Sequence, residues 1–217
     1  MKVHILLGPP GSGKGTQAKH LVEKLPLIHL STGDILRDAV SKETELGLRI
    51  KANMAGGKLV DDNTVNEIVF ARLQDETIDV LFDGYPRTLF QAQSLQTFLS
   101  SQGITLGLVV DIEIQEQELE VRVVNRRVCS NNDCGAIYNL NSKAPQVEGF
   151  CDLCGSPLKH RNDDTRTALH SRLVEFNETF TPLRGFYQGM SNYRRVEGNR
   201  PPELFHAQLV QLFQEQA

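Results

Sequence analysis

Short apolar and β-branched runs recur at Val3–Leu7, Leu27–Leu30, Asp79–Phe82 and Leu108–Ile112, and more weakly at Tyr193–Val196, and read as strands. Between them, apolar residues return at three- and four-residue spacing over Thr16–Leu25, Thr32–Val40, Thr64–Gln74, Leu89–Leu99 and Gln115–Arg127. A longer helical period begins at Thr165 and runs toward Tyr187. Strands that alternate with helices predict an α/β fold, in which a parallel sheet is flanked by helices on both faces and the connections are right-handed.

Two stretches break that rhythm. Residues 31–60 are mostly helical in pattern, contain no strand and end in an Ala-Gly-Gly-Lys turn, which predicts a small helical lobe projecting from the core. Residues 128–164 are rich in Cys, Asn, Gly and Pro and carry no helical period, which predicts an inserted lid. The expected division is a core of residues 1–30, 61–127 and 165–217, a lobe at 31–60 and a lid at 128–164. Internal repeats and low-complexity tracts are absent from the sequence.

A chain of 217 residues, 40% of them hydrophobic, can bury one substantial core. Its net charge of -4 argues against general binding to nucleic acid or to an anionic membrane, because neither gains from an acidic field. Only Met1 and Lys2 precede the first strand, and no apolar run approaches membrane-spanning length. The expectation is a cytoplasmic monomer with neither membrane nor nucleic-acid partners.

The first chemical signal follows the first strand. Gly8 to Thr16 read GPPGSGKGT, a glycine-dense loop placed where a strand hands over to a helix. Such a loop turns successive backbone N–H groups toward one anion, the helix adds its positive N-terminal end, and Lys14 can reach the outer phosphates of a nucleoside triphosphate. This makes the sheet of P-loop NTPase type. The general motif places Ser or Thr directly after the lysine; here Gly15 intervenes before Thr16.

A second signal is LFDGYPRT, Leu81 to Thr88. An aspartate ending an apolar strand in a phosphate-loop protein helps to hold magnesium through water, and Asp83 has that place; a mere helix cap or turn former is the weaker alternative. Arg87 follows in the loop beyond the strand's carboxyl end, where an open α/β sheet binds its ligands. Further arginines stand at Arg37, Arg122, Arg126, Arg161 and Arg172, and the four-residue spacing of Arg122 and Arg126 predicts one shared helical face. Transfer of a terminal phosphoryl group needs positioning, charge neutralisation and exclusion of water. No nucleophile system built on a histidine is discernible, and the six histidines read as packing or surface residues. An acceptor already ionised at neutral pH, such as a nucleoside monophosphate, fits the lack of a dedicated base.

All four cysteines fall between Cys129 and Cys154, as C-x4-C (Cys129, Cys134) and C-x2-C (Cys151, Cys154), with a glycine after the second of each pair. Four thiolates so spaced suit a structural, tetrahedral Zn²⁺; Co²⁺, Fe²⁺, two disulfides or free thiols are the alternatives. A closed set of four sulfurs would stabilise the lid and leave substrate untouched.

Taken together, GPPGSGKGT, STGDILR, GKLVDD, DGYPRT with Gln91 following, RRV before the cysteines, RNDD and SRL resemble the motifs of an adenylate kinase of the long, metal-lid type found in bacteria, over essentially the whole chain. The resemblance implies reversible phosphoryl transfer from MgATP to AMP, giving two ADP. It implies that Gly11, Ser12, Gly13, Lys14, Gly15 and Thr16 bind the ATP phosphates. Arg122, Arg126 and Arg161 would close over the donor, and Arg200 would stand near its adenine. For AMP it implies Thr32, Arg37, Lys58, Leu59, Val60, Gly84, Arg87 and Gln91, with Arg161 alongside and Arg172 reaching between the two nucleotides. Lys14, Arg87, Arg126, Arg161 and Arg172 would be catalytic, and Asp83 would meet Mg²⁺ through water. Asp163 and Asp164 match a pair near the lid hinge. The sequence departs from the family's usual C-x2-C in its first cysteine pair, which SNND lengthens.

Overall fold

Strand β1 (Lys2–Leu7) sends Val3, Ile5 and Leu7 to one side of a sheet and Leu6 to the other, as the two-residue period of a strand requires. In the computed structural model, which describes residues 1–41, 47, 48, 51, 60–131 and 133–215, this strand lies at the centre. Around it lie β2 (Leu27–Ser31), β3 (Asp79–Asp83), β4 (Thr105–Glu113) and β8 (Tyr193–Glu197), in the order β2-β3-β1-β4-β8, with every pairing parallel. Val80, Leu81 and Phe82 of β3 are all fully buried, the continuous apolar run of a strand covered on both faces.

One face is covered by α3 (Asp62–Gln74), α4 (Leu89–Gln102) and α6 (Arg166–Tyr187), which contribute Leu73, Leu95, Leu99 and Leu183 to a cluster with Val3 and Ile5. The other face takes α1 (Lys14–Lys24) and α7 (Pro202–Gln214), whose Leu21, Phe205 and Leu209 pack with Leu6 and Leu108. Each helix of the first face starts on a side-chain cap: Asp61 accepts from Thr64 N, Thr88 from Gln91 N and Thr165 from Ala168 N. Helix α7 is absent from the sequence reading; its Pro201-Pro202 start occupies the first helical turn, where proline is tolerated, rather than breaking the chain.

Buried Asp111 ties the sheet to α6. It accepts from Arg184 Nε at 2.8 Å and from Tyr193 Oη at 2.6 Å. Arg184 also packs over the Phe180 ring.

The helix expected over Gln115–Arg127 is shorter. Helix α5 spans Glu116–Val124, and Arg126 opens a strand, β5 (Arg126–Cys129), so Arg122 and Arg126 do not share a helical face. The reason is pairing at long range. β5 forms an antiparallel three-stranded sheet with β6 (Ile137–Asn139) and β7 (Leu158–Lys159), and this pairing claims Arg126 and Arg127 from the helix. The inserted segment therefore has its own sheet, which starts at Arg126 rather than at Val128. From residues 31–60, α2 (Thr32–Ser41) is seen directly after β2, and Ser31 Oγ accepts from Asp34 N at 3.2 Å. Lys58, Leu59 and the glycine turn before them lie outside the described residues. Among the described residues, no helix is long and apolar enough to cross a membrane.

Candidate active site and metal centre

The loop after β1 emerges where the strand order reverses: β3 flanks β1 on one side and β4 on the other, which opens a crevice at the carboxyl edge of the sheet. Gly11 has φ +87°, and a Cβ there would come within 2.7 Å of a Val123 methyl, so only glycine permits both the turn and the close approach of α5. Lys14 begins α1 and its Nζ donates to Gly8 O at 2.8 Å and Pro9 O at 2.9 Å. At Gly15 a Cβ would lie 3.0 Å from Asp83 Oδ2. A Ser or Thr side chain at that position would crowd Asp83, which explains the departure from the general motif.

A cleft of about 590 Å³ runs from this loop to the inserted sheet. Of the residues expected from sequence, Gly11, Gly13, Lys14, Gly15, Thr16, Arg37, Asp83, Gly84, Arg87, Arg126, Arg161 and Arg172 line it. Ser12 is buried within the loop, and Thr32, Val60 and Gln91 are buried outside the cleft wall. Thr32 Oγ1 donates to Gly84 O at 2.8 Å, beside the cleft. Arg122 also stands outside, donating to Gly198 O at 3.1 Å, and Arg200 is half-exposed with its Nε 3.9 Å from Glu197.

Four arginines of the cleft are held by carboxylates. Arg126 forks onto Asp164, Arg172 reaches Asp163 at 3.2 Å, Arg37 reaches Asp34 at 2.6 Å, and Arg161 lies 3.6 Å from the same Asp34. Asp163 and Asp164 thus orient arginines at the base of the inserted segment. Burial, set against the opposing charge of Asp83 and joined by Arg87, Arg172 and Arg126, pulls Lys14 down to about 8. Burial also lowers Arg172 and Arg161 to about 10, with Arg126 contributing to both and Arg37 to Arg161. Burial first, and the neighbouring cations after it, raise the cost of these charges, a cost that a bound anion would offset.

His29, read from sequence as a packing or surface residue, lines the cleft. Its Nε2 lies 3.5 Å from Asp83 Oδ2, and both side chains are largely buried, 12% and 14% exposed. Burial alone would raise the Asp83 carboxyl, but His29 and Lys14 outweigh it and hold the pKa below the usual carboxylate range. The signal for His29 was its period: it shares the face of β2 with Ser31, and both line the cleft.

In the inserted segment the four cysteine sulfurs lie within 4.8 Å of one another. Cys129 and Cys154 are 3.4 Å apart and Cys134 and Cys151 3.7 Å. These separations exclude disulfides, whose S–S length is about 2.05 Å. They approach the edge of a tetrahedron of sulfurs around one ion, about 3.8 Å for metal–sulfur bonds of about 2.3 Å. Gly135 and Gly155, after the second cysteine of each pair, have φ of +52° and +70° and turn the two knuckles. The longer first knuckle closes through Gly135 N to Asn131 O at 2.9 Å, while Asn131 Oδ1 accepts from Asp133 N at 3.0 Å, so the extra residues form a turn of their own. Tyr138 Oη accepts from Asp152 N at 2.8 Å and stands 3.5 Å from Cys151 Sγ, which leaves its proton for that sulfur. This hydroxyl helps to draw the Cys151 thiol down to about 6, toward the thiolate a metal requires. The cluster is thus fit to hold a soft divalent ion. It is also joined to the core across the cleft, because Lys19 Nζ on α1 donates to the Gly135 carbonyl.

Comparison with known proteins converges with this geometry. The family model described as adenylate kinase matches residues 6–192. An adenylate kinase of Allorhizobium ampelinum is 44% identical over 197 residues, covering 89% of this chain and 90% of its own. That of Thermosipho africanus is 41% identical over 196 residues, covering 89% and 91%. That of Carboxydothermus hydrogenoformans is 38% identical over 212 residues, covering 97% and 98%. With a phosphate loop at the switch point of a parallel sheet, a cleft lined by arginines and this likeness along nearly the whole chain, the protein belongs to the adenylate kinase family.

Proposed function

We propose that the chain transfers the terminal phosphoryl group of MgATP reversibly to AMP, giving two ADP. The observation that carries this reading is the convergence of Lys14, Arg87, Arg126, Arg161 and Arg172 on one cleft between the phosphate loop and the inserted sheet. Charge spreads over several oxygens as a phosphoryl group passes between two nucleotides, and fixed cations in a water-poor cleft stabilise that charge without reorganising. The backbone N–H groups of the loop and Lys14 take the donor phosphates, with Thr16 beside them. Arg87, with Arg37, takes the acceptor phosphate, and Arg172, Arg126 and Arg161 neutralise the region between. A phosphate monoester is ionised at neutral pH, so an oxygen of AMP attacks in line with no proton to remove. Mg²⁺ with ATP supplies charge neutralisation across the donor oxygens; Asp83, kept ionised by His29 and Lys14, is the residue suited to bind its water shell.

Residues 128–164 act as the lid and residues 31–60 as the AMP lobe, and their closure keeps water from competing as acceptor. Arg161 near Asp34 of α2, and Lys19 on the Gly135 carbonyl, are the contacts that favour the closed form. Cys129, Cys134, Cys151 and Cys154 hold Zn²⁺ as a structural ion, since four thiolates leave it no position for substrate.

The test is a coupled assay of ADP formation from ATP, AMP and Mg²⁺, repeated with GMP, CMP and UMP as acceptors, together with metal analysis of the purified protein. ADP formation preferring AMP and one zinc per chain are expected. No diphosphate above background, or an equal rate with another monophosphate, would overturn the assignment.

A further inference from the structure

Gln91 is 1% exposed and stands outside the cleft wall, yet both ends of its side-chain amide are committed. Its Nε2 donates to Asp62 Oδ1 at 2.7 Å, and its Oε1 accepts from the backbone N–H of Arg87 at 2.7 Å. A carboxylate only accepts and a backbone N–H only donates, so these two partners force one orientation on the amide. The other oxygen of Asp62 accepts from Thr88 Oγ1 at 2.7 Å, and Thr88 Oγ1 in turn caps α4 by accepting from Gln91 N at 3.1 Å. One carboxylate on the first turn of α3 therefore holds both the cap of α4 and the amide that anchors Arg87. Beyond that anchor, Arg87 Nε donates to Gly84 O at 2.7 Å and its guanidinium lines the cleft.

We infer that Asp62 is a positioning residue for the acceptor-phosphate site: it fixes the Gln91 amide so that Gln91 holds the backbone of Arg87, and so aims the Arg87 guanidinium into the cleft. This rests on the assignment of Arg87 to the acceptor phosphate made above. Without the carboxylate, the Gln91 NH2 loses its acceptor and the amide is free to turn over. It would then oppose a donor to the Arg87 N–H. Asparagine at this position keeps an oxygen for Gln91 and can donate its own NH2 to the Thr88 hydroxyl, so it preserves the connection.

The experiment measures KM for AMP, KM for ATP and the thermal midpoint of wild type, Asp62→Ala, Asp62→Asn, Gln91→Leu and the Asp62→Ala/Gln91→Leu double variant. Loss of one committed hydrogen bond predicts a rise in KM for AMP of about tenfold in Asp62→Ala, with KM for ATP unmoved. Asp62→Asn should recover most of that loss, and the double variant should be no worse than Gln91→Leu, because both changes cut one connection. A general loss of structure would instead raise both KM values together and lower the midpoint in step. That result, an unmoved KM for AMP in folded Asp62→Ala, or Asp62→Asn matching Asp62→Ala, would overturn the inference. A wild-type protein that forms no ADP from ATP and AMP would sink the activity itself, so the two failures are distinguishable.

Discussion

Arg126 and Asp164 join the two ends of the inserted segment: Arg126 Nε donates to one oxygen of the Asp164 carboxylate at 2.8 Å and Nη2 donates to the other. Arg126 opens the segment's sheet, and Asp164 lies fully buried just before α6. The pair therefore fixes where the segment leaves and re-enters the core, beside the cleft that Arg126 lines. Removing one partner strands the other charge in a site with little water. Asp164→Ala is expected to lower stability by about 3–5 kcal/mol, read by chemical denaturation. A loss below about 1 kcal/mol, the range of an exposed pair, would show that solvent reaches the fork.

Arg87 is held at its backbone by Gln91 and at its side chain by Gly84, so truncating the guanidinium removes charge from the cleft without disturbing either helix. Arg87→Ala should keep the wild-type circular dichroism spectrum and thermal midpoint. Turnover from ATP and AMP should fall about 10³-fold, the scale of an arginine that faces a transferring phosphoryl group. Unimpaired turnover would remove Arg87 from the site.

In the proposed reading the cysteine cluster holds an ion that clamps the lid; its sulfurs lie together, and the segment is joined to the core through the Gly135 carbonyl that Lys19 grips. Prolonged dialysis against a strong chelator should lower the thermal midpoint markedly while turnover well below that midpoint changes little. Differential scanning calorimetry and the coupled assay on the same sample read the two effects. Loss of turnover in a still-folded, metal-stripped protein would mean that the ion does more than clamp.

His4 gives the fold an acid limit. Its Nδ1 accepts from Leu108 N at 3.0 Å, its ring packs 5.0 Å from that of Phe213, and burial pulls it down to about 4 against the opposing charge of Asp79. A pKa lowered in the folded state means that the native protein favours the neutral ring. That contribution is fully present above the unfolded value of 6.5 and is lost as the pH falls toward 4. The expected loss over this window is of order 3 kcal/mol. Denaturant midpoints measured from pH 7.5 to 4 should show the decline in wild type and a flatter curve in His4→Asn. Matching curves would assign the acid sensitivity to other groups.

The five strands of the main sheet and the phosphate loop were legible because each is encoded locally. A continuous apolar run makes a strand that must be covered on both faces, and a glycine-rich loop ahead of a helix is a phosphate cradle wherever it occurs. The cysteine cluster was legible for a similar reason, since two pairs at short spacing in a chain without other cysteines bring four sulfurs together. Arg126 was misread for the opposite reason. Its helical spacing from Arg122 is real, but pairing with residues more than ten positions away outweighs that local preference.

By itself the sequence determined the α/β architecture, the phosphate loop, the clustering of the four cysteines and a set of arginines suited to phosphate, because period, spacing and residue chemistry act over a few neighbouring positions. Only the tertiary structure decided that His29 faces Asp83, that Asp62 holds the Gln91 amide, and that Asp164 holds Arg126. Those pairings join β2 to β3, the first turn of α3 to that of α4, and the two ends of the inserted segment. Hydrogen bonds and charge pairs between such distant segments exist only once the sheet and its helices have packed, so no local pattern announces them.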